Sequence, residues 1–84
     1  MTLTDFLRER IAEDSEIVAR DMVTESRRTR LMRVQLERLS VVFEFEAMLE
    51  LGLGGEMVDI ARRRLQLMAA GYHLHPDFDD EWQL

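Results

Sequence analysis

Between Leu31 and Leu51 the chain carries more apolar side chains than one face of a helix can hold. Leu31, Met32, Val34, Leu36 and Leu39 are followed by Val41, Val42, Phe43, Phe45, Ala47, Met48, Leu49 and Leu51. At helical spacing they cover most of the circumference, with Glu44, Glu46 and Glu50 confined to the remainder. A helix apolar nearly all round is buried on more than one side. Val41-Val42-Phe43 with Phe45 also has strand propensity, but no turn-bounded partner strand occurs elsewhere. The segment reads as a helix over about Arg27 to Leu51, and the rest of the chain must be fitted around covering it.

Two amphipathic segments flank it. Thr2 followed by Asp5 fits a capping box, so a first helix opens at Thr2 or Thr4 and runs to about Val23, with Leu7, Ile11, Val18 and Met22 on one face and Phe6 beside them. Thr24-Glu25-Ser26 marks a turn or kink, because two hydroxyl residues there can cap a new helix. Gly52-Leu53-Gly54-Gly55 ends the second helix and makes a short loop. A third helix, about Glu56 to Ala70, places Met57, Ile60, Ala61, Leu65, Met68 and Tyr72 on one face and pairs Asp59 with Arg62 or Arg63 on the other. In the tail, Pro76 fits the first position of a final helical turn, and Phe78 and Trp82, four apart, are expected to dock it onto the body. The expected fold is all-α: one domain, residues 1–84, built as a small bundle of three main helices with a short C-terminal helical turn.

At 84 residues such a chain holds one modest core, burying roughly 60% of its unfolded surface. It has no cysteine, so neither disulfides nor thiolate metal sites can staple it, and stability must come from packing or from oligomerisation. No leader and no bilayer-length apolar run is readable, which, with the absence of cysteine, leads to the expectation of a cytoplasmic protein in a bacterial cell. The net charge of −6 disfavours general affinity for nucleic acid or anionic membranes. Charge is blocked along the chain: residues 1–25 net −4, 26–42 net +4 and 43–61 net −5. All eleven basic residues are arginine, a bias that a GC-rich genome produces.

Candidate chemistry is sparse. His73 and His75, with Asp77, Asp79, Asp80 and Glu81 behind them, contain metal-donor types, but the histidines are two apart and Pro76 separates them from the acids, so helical ligand spacing is absent. His75 instead suits capping of the final turn. Arg27, Arg28, Arg30 and Arg33, with Arg38 beyond, form a basic block that could contact phosphates. Pairing with the acidic first helix, within the chain or across a dimer, explains it more simply. Gly52, Gly54 and Gly55 lack the lysine and hydroxyl of a phosphate loop, and Ser15, Ser26 and Ser40 have no nucleophile-elbow sequence around them. No enzymatic activity, cofactor, metal or small-molecule substrate is expected.

Both ends of the chain resemble a family of small actinobacterial and actinophage proteins defined only as a domain of unknown function. The matching residues are Asp5-Phe6-Leu7-Arg8-Glu9-Arg10 with Glu13-Asp14, and Tyr72 with His75-Pro76-Asp77-Phe78-Asp79-Asp80-Glu81-Trp82. Together they span about a third of the sequence. The middle departs from the pattern: Thr24 to Ser26 stands where members often carry a Pro- or Trp-containing linker, and Gly71 where they often have proline. The family has no assigned activity, so the resemblance transfers no catalytic or binding residue. It implies a phage or prophage origin, in keeping with the arginine bias.

The expectation for function is a helical protein–protein interaction module, self-associating as a dimer and binding a further protein, such as a bacterial host factor. Val41, Val42, Phe45, Met48 and Leu49 are the expected self-association surface. Tyr72, His75, Pro76, Phe78 and Trp82 are expected to hold the tail in place. The alternative is a DNA-binding or transcription-linked regulator that uses Arg27, Arg28, Arg30, Arg33 and Arg38.

Overall fold

The computed structural model describes residues 1–20 and 24–84. Three helices follow in order, α1 (Leu3–Arg20), α2 (Glu25–Glu50) and α3 (Glu56–Ala70), and a 3₁₀ turn (Asp80–Trp82) ends the fold. No strand occurs among the described residues. No helix there is long and apolar enough to cross a membrane.

Local chemistry sets each boundary. At the start of α1 the Asp5 amide donates to the Thr2 hydroxyl (3.2 Å) and the Thr2 amide donates back to the Asp5 carboxylate (3.4 Å), the reciprocal pattern of a capping box. Hydrogen bonding from Thr2, side chain before backbone, holds the Asp5 carboxyl below its ordinary value. The predicted continuation of α1 through Met22 and Val23 falls outside the described residues. Thr24 is extended and caps α2, its hydroxyl accepting from the Arg27 amide at 3.3 Å. The break therefore lies before Glu25, and Glu25 and Ser26 already belong to α2. The end of α2 is a Schellman motif: the Gly52 and Leu53 amides donate to the Leu49 and Met48 carbonyls, and Gly52 takes φ +71°.

α1 and α2 run antiparallel. Ion pairs Arg8–Glu46 and Asp14–Arg38 join them, the second at 3.2 Å. α3 folds back along the C-terminal half of α2. The core between the three helices is small and comprises Leu7 and Ile11 from α1, Val42 and Phe45 from α2, and Val58, Ala61, Leu65 and Ala69 from α3.

Two expectations about faces are corrected. On α3 the buried stripe is Val58–Ala61–Leu65–Ala69, so Met57 and Ile60 stand outside it, 65% and 55% exposed. On α2, Val42 and Phe45 are 0% and 6% exposed, sealed within the chain's own core and withdrawn from the expected self-association surface. Leu36 and Phe43 are exposed instead. The final helical turn also lies later than expected: it is capped by Asp79, whose side chain accepts from the Glu81 amide, and Pro76 sits in an earlier turn.

Candidate interaction surface

The residues at the two ends converge on one cluster. Phe6 is fully buried, ringed by Tyr72, His75, Phe78 and Trp82 with ring centroids 5.0–6.0 Å away. Trp82 stacks on it at an interplanar angle of 27°, while Phe78 meets both rings edge-on. These are geometries that aromatic quadrupoles favour. The expected docking residues thus lie together, except Pro76, which is exposed.

One turn along α1, Arg10 is only 4% exposed. Its guanidinium lies 5.1 Å from the Phe6 ring centroid, donates to His75 Nε2 at 2.6 Å and pairs with Glu13 at 2.9 Å. The Asp77 amide points at His75 Nδ1 from 3.0 Å. Arg10 Nη1 also lies 3.0 Å from His75 Nδ1, so both donors reach that nitrogen, and a neutral imidazole accepts at one nitrogen only. His73 instead faces the Ala70 carbonyl, so the two histidines do not share a site.

Farther along, Tyr72 donates to Asp14 while accepting from Arg38 at 2.6 Å. Burial pushes the Tyr72 hydroxyl above its ordinary value, and its hydrogen bond to Asp14 adds to that. Burial alone would lower Arg38, but its hydrogen bonds to Tyr72 and Asp14 outweigh that and hold it higher. This network joins α1, α2 and the segment just after α3 and is a fastening, since its groups are turned toward one another.

The open surface lies on the other side. Between α2 and α3 runs a groove of about 220 Å³, with Val41, Met48, Met57, Ile60 and Ala61 along it and Glu44 and Arg64 at opposite rims. Val41 and Met48 are half-buried, so these two of the expected self-association residues form its α2 wall. Leu49 is exposed near the helix end. Met57, Ile60, Glu44 and Arg64 were not anticipated; the signal was present in Met57 and Ile60 standing one position before Val58 and Ala61.

A second open feature is the start of α2, where Thr24 to Arg30 are all exposed. Of the basic block, Arg38 alone pairs with α1. Arg27, Arg28, Arg30 and Arg33 have no ion pair among the described residues, which corrects the expectation that the acidic first helix neutralises them within the chain.

Fold and surface together define a small three-helix bundle with one fastened side and one open apolar side. Compared with known families, curated proteins and solved structures, the chain matches none.

Proposed function

We propose that this protein is a helical interaction module that associates with itself and with a further protein, working by surface recognition and not by catalysis. The observation that carries this is the α2–α3 groove. Its most prominent apolar residues, Met57 and Ile60, are more than half exposed on a chain whose core is small. Scattered exposed apolar residues are ordinary, but contiguous ones lining a groove mark contact surfaces. Methionines on such a surface adapt to a partner's shape. Leu36 and Phe43, exposed on a different side of α2, remain open for a second protein once the groove is occupied. The resemblance at both ends supports a phage or prophage setting, with a bacterial host factor as that second protein.

The groove is tested by Met57→Glu combined with Ile60→Glu. Sedimentation at micromolar concentration is expected to show the wild type heavier than its 9.9 kDa monomer and the variant monomeric, with unchanged helical circular dichroism. A wild type that sediments only as a monomer would sink the self-association.

The arginines at the start of α2, without an ion pair among the described residues, favour a second reading, a nucleic-acid contact, because a helix N-terminus attracts phosphate. It predicts salt-dependent duplex binding that is lost when Arg27, Arg28, Arg30 and Arg33 become alanine.

A further inference from the structure

We infer that the occupant of the α2–α3 face is a second copy of this chain laid antiparallel, the basic first half of α2 in one copy lying against the acidic region from Phe43 to Ala61 in the other. This rests on the interaction-module reading and adds to it the partner and its direction.

Of the charge blocks, +4 over residues 26–42 and −5 over 43–61, the first lies wholly on α2, while the second spans the end of α2, the loop and the start of α3, with Glu46 and Asp59 already paired to Arg8 and Arg62. Arg30, Val34, Glu37, Val41, Glu44 and Met48 follow one another at steps of three and four. They form a single stripe that begins on the exposed tip and ends as the α2 wall of the groove. The α2 edge of the contact surface therefore runs from basic, at Arg30, to acidic, at Glu37 and Glu44, while α3 contributes Arg64 on the opposite rim.

Among the described residues the two ends stay unpaired. Arg27, Arg28, Arg30 and Arg33 have no ion pair among the described residues, and neither do Glu44, Glu50 and Glu56. Arg27 and Arg28 also sit in the first turn of α2, where the helix dipole disfavours cations. A two-fold axis across the stripe sets the basic end at Arg30 on the other copy's acidic end, twice per dimer. A parallel arrangement sets like on like and is repelled. A duplex would meet the basic tip but also the acidic remainder of the same surface.

The size is adequate. The 26 residues of α2 span about 39 Å, and two helices side by side are roughly 18 Å wide. The molecule measures 44 × 27 × 18 Å. Because α3, 15 residues long, flanks only the second half of α2, a face on the order of 550 Å² per copy results, about 1,100 Å² for the pair, which clears the roughly 1,000 Å² of a specific interface.

The test uses the full chain and two charge-reversed variants, Arg30→Glu with Arg33→Glu, and Glu44→Arg with Glu56→Arg. In sedimentation at low salt, each variant alone is expected to dimerise at least ten-fold more weakly than the wild type, and an equimolar mixture to recover wild-type affinity. Direction is read from a spin label at Ser26→Cys, since the chain has no other cysteine. Labels in the dimer are expected to lie apart by on the order of the length of α2, about 39 Å. Close labels would overturn the antiparallel arrangement, as would a dimer indifferent to both reversals. A wild type that never dimerises would instead remove the self-association reading beneath it. Duplex-oligonucleotide binding lost on reversing Arg30 and Arg33, with dimerisation unchanged, would assign the basic tip to nucleic acid and overturn the proposal.

Discussion

Tyr72 shows how much a single polar contact organises here. Its hydroxyl lies between Asp14 of α1 and Arg38 of α2, so one phenol ties the chain past α3 to both earlier helices. Tyr72→Phe removes a part-buried hydrogen bond and should cost about 1–2 kcal/mol at neutral pH. The folded-state value of Tyr72 is raised, so its protonated form is the one folding favours. That contribution is fully present below the unfolded value, about pH 10, and is lost as pH rises through the higher folded value. Urea denaturation should show a constant gap between wild type and Tyr72→Phe from pH 7 to 9, narrowing above pH 10. A gap that widened there would contradict the arrangement.

Among the elements, α2 depends most on its own ends. With Thr24 to Arg30 exposed, its first turns draw on capping rather than packing, so Thr24→Ala should lose about 1 kcal/mol. Amide exchange should quicken over residues 25–30 and stay unchanged in α3; uniform quickening would show the cap acting on global stability. The helices themselves were legible in the sequence because their signals are local: Thr2 with Asp5, Thr24, and the glycines after Leu51 act within a few residues of chain. Which face each helix buries was not. Met57 and Ile60 outrank Val58 and Ala69 in apolar size, yet the smaller pair is the one buried. Val42 and Phe45 were equally ambiguous, because a helix apolar nearly all round carries no internal mark of which side its own chain covers. The tail was readable for its aromatic pair but not for Arg10, whose burial depends on His75 arriving from the far end of the sequence.

For the molecule as a whole, the core is small for an 84-residue chain, and the aromatic cluster at the ends supplements it. Trp82→Ala should remove roughly 2–3 kcal/mol, less than a fully buried aromatic because Trp82 is half-buried. The loss should appear as a lower urea midpoint with the dimer retained, since the cluster lies away from the groove. A variant that lost its dimer without losing stability would contradict that separation.

The meeting of Phe6 with the tail also bears on the order in which the molecule is completed. Arg10 and His75 are 65 residues apart, and closing so long a loop comes late, after nearby contacts have formed. During synthesis the α1–α2 hairpin can assemble while Phe6 is still bare, and its last ring arrives only with Trp82. A polypeptide cut short before that point presents an uncovered aromatic near its start. That supplies quality control with a hydrophobic signal by which unfinished copies differ from finished ones.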